Sequence, residues 1–181
     1  CDTLSLHDAL PISIQQVTWT NGDYIFGNVS ATAGILFQNS ATPQVCTYSG
    51  GAALTPGTSP AVGAASVITE RHYGASSRIS AGNAAYTLGD TGTGVPGGIT
   101  IAASGGGGVP ANIFLHQLIM RGGPTAMTDT QIAYARALST RKAGLISDAE
   151  ILKLFAAGQQ GAWYDPSDLS TMFQGGQGQA P

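Results

Sequence analysis

Turn-forming residues interrupt this chain at short intervals, and that spacing limits its fold more than any other feature. Between residues 15 and 121, short apolar and β-branched runs alternate with clusters of Gly, Pro, Asn and Ser. Runs this short suit strands better than helices, which in globular domains usually need about 10 residues or more. The pattern therefore predicts an antiparallel β-sandwich or barrel over this part of the chain.

Individual strands are predicted from alternation and from the turn residues beside them. Val17 and Trp19 alternate with threonines, and the run Asn21-Gly22-Asp23 then predicts a hairpin before a strand at residues 24–26. The other predicted strands are residues 34–37, 44–48, 65–70, 77–80, 84–88, 98–102 and 112–121. The last of these is apolar on both faces, so we expect it to be central and covered on both sides.

After residue 121 the sequence pattern changes to that of helices. Thr128 and Gln131 form a capping box, which predicts a helix that ends at Gly144. Ser147 and Glu150 repeat the arrangement, and an apolar stripe follows them. The sequence thus predicts a mainly β domain followed by two short helices.

The first twelve residues differ from the rest of the chain. They lack the initial Met, the basic region and the apolar core of a signal peptide. The run TLSLHDALPI matches, codon for codon, the translation of a widely used sequencing adapter. We therefore predict that residues 1–12 are an artefact with few contacts in the folded protein, and that the protein itself begins near Ser13.

Composition and charge exclude several classes of protein. Seven basic residues stand against ten acidic ones, without a basic patch for nucleic acid or an apolar run long enough for a membrane helix. Without residues 1–12, Cys46 is the single cysteine, so this stretch cannot form an internal disulfide. A lone cysteine also lacks the spacing of a zinc site, and we expect Cys46 to be a small buried residue.

Common catalytic motifs are missing from the sequence. It contains neither the G-x-S-x-G nucleophile motif nor the H-E-x-x-H zinc motif. Glycoside hydrolysis needs two carboxylates about 5–9.5 Å apart, which on a strand means two acids separated by one residue. Beyond residue 12 only Asp148 and Glu150 have that spacing, and capping of a helix explains both. His116 alternates with apolar residues and is expected to be half-buried. We therefore predict no catalytic residue, no metal site and no cofactor.

Carbohydrate recognition fits the residue types better. Sugar rings stack on exposed aromatic rings, while amides and carboxylates hydrogen-bond the hydroxyl groups. The candidate ligand-binding residues are Trp19, Tyr24, Tyr48, Tyr73 and Asn83. Packing in the core would explain each aromatic residue equally well, so that alternative stays open.

Several stretches together suggest a family. RISAGN at residues 78–83, GDTGTG at 89–94 and FLHQLIMR at 114–121 resemble the later strands of laminin-G-like, concanavalin A-like domains. The form found in bacteriophage and prophage tail proteins is the most similar, since GAWYDPSDLSTMFQ at residues 161–174 is typical of it. The chain departs from this pattern after Asn83, which the usual Gly does not follow, and after residue 174, where GGQ replaces an acidic, Ser/Thr-rich continuation.

The resemblance implies a jelly-roll sandwich that lacks its first strands. Residues 13–144 would be the laminin-G-like sandwich with a C-terminal helix, and residues 145–181 a helical linker and the start of a second unit. Such a chain would be a structural or adhesive module, without enzymatic activity, in the tail of a virion or outside the cell. Its partners would be host-surface glycans and other tail or virion proteins, with no nucleic acid and no membrane.

Two alternatives remain beside this interpretation. One is a bacterial secreted or surface lectin-like module that binds carbohydrate. The other is a remnant of a glucanase-like glycoside hydrolase, although the chain lacks the E-x-D-x-x-E motif of concanavalin A-like glucanases.

Overall fold

The structure is a computed structural model that describes residues 10–28, 35–40, 42–94, 98–120 and 127–145. The chain divides into two units, Cys1–Ile146 and Ser147–Pro181, and every described residue belongs to the first. That unit is mainly β, with two antiparallel sheets and one helix in the described ranges. This helix is not of the length and apolarity that crossing a membrane requires.

Nine strands precede the helix within the described residues. They are β1 (Leu10–Gln16), β2 (Tyr24–Gly27), β3 (Ile35–Asn39), β4 (Gln44–Tyr48), β5 (Ala65–Arg71), β6 (Ser77–Ala81), β7 (Thr87–Gly89), β8 (Thr100–Ile101) and β9 (Ile113–Leu118). The helix, α1, is Asp129–Lys142.

The first sheet has five strands in the order β7-β6-β5-β1-β9. Its middle strand, β5, is buried along residues 66–70 because the sheet is covered on both faces there. Ile68 of β5 lies opposite Ile12 of β1, and both side chains face the second sheet. Thr69 points to the other face, as the alternation of a strand requires, and α1 packs on that face.

The second sheet has four strands in the order β4-β3-β2-β8. Buried side chains of both sheets form one apolar cluster, which holds them together by removing its surface from water. The cluster consists of Ile12, Ile14, Ile25, Phe26, Leu36, Val45, Ile68, Ile79, Ala81 and Ala111.

Helix α1 begins where its sequence predicts. The Thr128 hydroxyl accepts a hydrogen bond from the Gln131 amide, and the Gln131 side chain accepts one from the Thr128 amide. This capping box satisfies two amides that would otherwise have no partner at the helix start. The second predicted helix, from residue 147, lies outside the described residues.

Small polar residues line much of the contact between α1 and the first sheet. On the sheet they are Ser13, Thr69 and Ser80, and on the helix Ser139. Their hydroxyl oxygens are buried and have no hydrogen-bond partner among the described residues. The apolar part of this contact is a small cluster of Met127, Ile132 and Ala135, against which Tyr86 and Ile119 pack.

Most predicted strands are present, and their ends differ by a few residues. The strand at Gln44–Tyr48 is confirmed with its predicted bounds, and those at Ala65–Arg71 and Ser77–Ala81 are each one residue longer. The strand predicted at 84–88 is the shorter Thr87–Gly89, and the one at 98–102 is reduced to Thr100–Ile101.

The predicted hairpin at Asn21-Gly22-Asp23 is wrong. A turn forms there, with Gly22 at φ +92°, a conformation that glycine adopts easily. However, β1 pairs with β5 and β9, whereas β2 pairs with β3 and β8. The turn therefore carries the chain from one sheet to the other.

The prediction that residues 112–121 form a central, doubly covered strand is also wrong. Strand β9 lies at the edge of the first sheet, where Phe114 is 60% exposed and Leu115 39% exposed. His116, expected to be half-buried, is exposed as well. The central position belongs to β5, whose Thr69 lies on the α1 face of the sheet with Ser13 of β1 and Ser80 of β6.

The expectation that residues 1–12 make few contacts is wrong for their last three members. Leu10, Pro11 and Ile12 pair with β5, and Ile12 is a buried member of the core. Residues 1–9 lie outside the described ranges. The place of residues 10–12 in an interior strand of the first sheet counts against an artefact, and the adapter origin of this segment stays a hypothesis.

Candidate functional site

Two of the aromatic candidates, Trp19 and Tyr24, contact β3 or the residue that follows it. Trp19 packs against the core, and its indole Nε1 donates a hydrogen bond to the Ser40 carbonyl at 3.1 Å. The Tyr24 ring stacks on Phe37, with 6.0 Å between ring centroids. Both rings are half-buried, so each has a packing role in addition to any contact with a ligand.

The other three candidates are dispersed over the unit. Tyr48 ends β4 and is half-buried, while Tyr73 follows β5 and is 43% exposed. Asn83 is exposed in the turn after β6. Of the five candidates, Asn83 alone lines the groove described next.

A groove of about 390 Å³ lies between α1 and the connection from β6 to β7. The connection contributes Asn83 and Tyr86, and the helix contributes the other lining residues, which are Asp129, Ala133, Arg136, Ala137 and Thr140. Residues at these intervals share one face of a helix, because each turn takes 3.6 residues. The adjacent face of α1, with Ile132, Ala135 and Ser139, is buried against the first sheet.

Arg78 and Asp129 anchor the start of α1 at one end of the groove. The Arg78 guanidinium donates a hydrogen bond to Asp129 Oδ1 and also lies 4.7 Å from the centre of the Tyr86 ring. This hydrogen bond and the positive charge of Arg78 hold the pKa of the Asp129 carboxyl below its usual value. Asp129 is 82% exposed and remains open to solvent on its other side.

Arg136 stands further along the same helix face. Its guanidinium lies 6.0 Å from the centre of the Tyr86 ring, at the outer limit of a cation–π contact. Its Nη2 atom is buried and has no hydrogen-bond partner among the described residues, and no described carboxylate forms an ion pair with it. Arg136 therefore brings a positive charge to the groove that the described part of the protein leaves uncompensated.

A second polar cluster is buried between the two sheets. Glu70 Oε1 lies 3.7 Å from His72 Nε2, and the two side chains are only 1% and 2% exposed. His72 Nε2 also lies 3.2 Å from the Thr47 hydroxyl, and its Nδ1 lies 3.2 Å from the Thr91 hydroxyl. The imidazole thus bridges β4, β5 and the chain after β7.

The hydrogen bonds around Thr91 determine the tautomer of His72. The Thr91 hydroxyl donates to Ser77 Oγ, and the Ser77 hydroxyl donates to the carbonyl of Gly74. With its own hydrogen used, Thr91 Oγ1 can only accept, so His72 Nδ1 carries a proton. His72 Nε2 is then the atom that faces Thr47 and Glu70.

This buried cluster is closed to substrates. Its side chains are covered by both sheets, so a molecule in solvent reaches neither the imidazole nor the hydroxyls. Cys46 lies nearby and is also fully buried, as predicted. Its burial, with the charge of Glu70 as a second cause, raises the pKa of the thiol to about 11. The described residues contain no group of three or more His, Cys, Asp or Glu that could hold a metal ion.

Among the charged and aromatic residues of the groove, sequence reasoning missed Tyr86, Asp129 and Arg136 as site residues. The capping box was enough to place Asp129, Arg136 and Thr140 on one face of a helix. It could not reveal that this face meets the turn after β6, because that contact joins distant parts of the chain. Comparisons with family models, with curated proteins and with solved structures found no match to this chain.

Proposed function

We propose that this protein is a non-enzymatic adhesive module that binds a saccharide in the groove between α1 and the β6–β7 connection. The observation that carries the proposal is the convergence of four kinds of group on one concave surface. They are the Tyr86 ring, the Asn83 amide, the Asp129 carboxylate and the Arg136 guanidinium. Sites that bind small molecules have this composition, with apolar walls and a few polar groups that fix orientation.

The size and chemistry of the groove suit one or two sugar units. Its volume of about 390 Å³ falls within the ~300–1,000 Å³ of small-molecule sites. The half-buried Tyr86 ring and Ala133 and Ala137 offer apolar surface to C–H groups. The Asn83 amide can both donate to and accept from sugar hydroxyls, and the Asp129 carboxylate can accept from them.

The wider context of the proposal rests on the sequence resemblance. Under this proposal the two sheets are a laminin-G-like, concanavalin A-like jelly roll in a tail protein of a phage or prophage. Two antiparallel sheets with a common core are compatible with that architecture. Tail or capsid genes beside the coding sequence would support the phage context, whereas a secretion signal in the full-length gene would favour a secreted lectin.

Saccharide binding by a glycan array, followed by calorimetric titration, tests the proposal. We expect Asn83→Ala to weaken binding about tenfold, the loss expected when one or two hydrogen bonds of ~1 kcal/mol disappear. Tyr134→Ala is the matched control, since Tyr134 is 69% exposed on α1 but does not line the groove. Asn83 is itself exposed, so its replacement should not affect folding.

Two results would overturn the proposal. If no saccharide binds to the folded protein, the module has a structural role without adhesion. If binding survives Asn83→Ala and is abolished by Trp19→Ala or Tyr24→Ala, the sugar lies on the surface around β3 and the groove is the wrong site.

A further inference from the structure

The charges around the groove do not cancel. Arg78 is paired with Asp129, so these two contribute no net charge. Arg136 is seven residues beyond Asp129, which places it roughly 10 Å further along the helix axis. No other described acidic residue lines the groove, so its net charge is positive.

The surroundings of Arg136 strengthen its attraction for an anion. Its Nη2 is buried, and the half-buried Tyr86 ring lies beside the guanidinium. Charges attract more strongly where the surroundings are less polar than water. The guanidinium is always charged, and its other N–H groups can donate to an oxygen of a carboxylate or a phosphate.

We infer that the groove selects a sugar that carries an anionic group, either a carboxylate or a phosphate, and that Arg136 binds that group. This inference rests on the saccharide binding proposed above and names the class of saccharide. The remaining hydroxyls of the sugar would face Asn83 and Asp129, at the end of the groove where the charges are already paired.

Calorimetric titration of the full chain with three sugars tests the inference. The sugars are a uronic-acid disaccharide, a hexose phosphate and the neutral disaccharide that matches the first. We expect at least one anionic sugar to bind about tenfold more tightly than the neutral one, because hydrogen bonds to charged groups are worth ~1.5–3 kcal/mol. The anionic sugar that binds more tightly identifies the preferred group as a carboxylate or a phosphate. Its gain in affinity over the neutral sugar should shrink as salt is added.

Variants of α1 assign the preference to one residue. Arg136→Gln should lower the ratio of anionic to neutral affinity to about one, because it keeps an N–H donor and removes the positive charge that favours an anion over a neutral group. Arg136→Lys should retain part of the ratio, since an ammonium keeps the charge and loses the planar pair of donors. Lys142→Gln is the control: it removes an exposed charge in the last turn of α1, outside the groove, and should leave the ratio unchanged.

The possible failures can be told apart. Equal affinity for neutral and anionic sugars would overturn the inference and leave the proposed function standing. The inference would also be overturned, and the proposed function would stand, if Lys142→Gln lowers the ratio as much as Arg136→Gln. The preference for an anion would then come from the charge of the whole helix. If none of the sugars binds, the proposed function fails as well. A thermal unfolding curve for each variant establishes that the titrated protein is folded.

Discussion

Glu70 and His72 form a buried pair between the two sheets, with 3.7 Å between Oε1 and Nε2. They are separated by one residue, so their side chains emerge on the same face of the chain. Both carboxylate oxygens of Glu70 lack a hydrogen bond within the described residues. Such a pair adds little net stability compared with apolar residues, yet removing one partner is costly because the other stays buried without compensation.

We predict that His72→Ala lowers the free energy of unfolding by ~3 kcal/mol, since it leaves Glu70 unpaired and removes the link to Thr91. Urea denaturation monitored by tryptophan fluorescence measures the change. His116→Ala is the control, because His116 is exposed on β9, and its effect should stay within ~0.5 kcal/mol. Equal small effects for the two variants would show that the buried pair is energetically unimportant.

The Cys46 thiol is expected to be unreactive in the folded protein. Burial raises its pKa from 9.0 to about 11, so the nucleophilic thiolate is scarce at neutral and mildly alkaline pH. In a Cys1→Ser variant, where Cys46 is the one thiol, labelling with a thiol reagent at pH 8 should be slow under native conditions and complete in urea. Rapid native labelling would contradict the buried position of this residue.

The same pKa shift predicts a loss of stability in alkali. A pKa that is higher in the folded state gives stability that is fully present below pH 9 and is lost as the pH rises to about 11. Comparison with Cys46→Ala isolates this contribution from those of tyrosine and lysine. The wild-type protein should lose more stability than the variant over that interval.

Asp129 should titrate at an unusually low pH. The hydrogen bond from Arg78 and its charge lower the pKa of the carboxyl, so the contact is present above the usual pKa range and is lost as the pH falls through the lowered value. Carbon-detected NMR of the carboxyl group measures the midpoint. Arg78→Gln should move that midpoint up towards the ordinary value, whereas Lys142→Gln should leave it in place.

Ile12 is predicted to be essential for stability even though it lies in the segment that resembles an adapter. It is 2% exposed and packs in the shared core, so Ile12→Ala should cost ~2–5 kcal/mol. Val62→Ala, at a position that is 40% exposed, serves as the control and should cost much less. If Ile12→Ala lowers the free energy of unfolding as little as Val62→Ala does, residues 10–12 do not contribute to the core, as the adapter hypothesis expects.

Local features of the fold could be predicted from the sequence. The capping box of Thr128 and Gln131 determined the start of α1, and alternation with turn residues located β4, β5 and β6. The order of strands could not be predicted in this way. It depends on which apolar faces meet across long separations in sequence, so the Asn21-Gly22 turn was misread as a hairpin and β9 was placed at the centre.

The candidate site illustrates the same limit. Asn83 was named from its residue type, and it lines the groove. Tyr86 and Arg136 line one groove because α1 contacts the β6–β7 connection. No periodicity in the sequence reveals that contact. The pairing of His72 with Glu70 could not be predicted either, because a spacing of one intervening residue indicates a shared strand face and not burial between two sheets.

The serine and threonine hydroxyls under α1 affect the local stability of this helix, which forms one wall of the groove. Helix α1 is held by the Arg78–Asp129 contact and by the small cluster around Met127, Ile132 and Ala135. The hydroxyls beneath it add no hydrogen bond among the described residues, so it shares less apolar surface with its sheet than the two sheets share with each other. Local opening of α1 therefore takes less free energy than global unfolding, and its amides exchange with deuterium faster than those of β5. Because α1 forms one wall of the groove, an occupant that contacts both walls slows this exchange, and the helix itself becomes a reporter of binding.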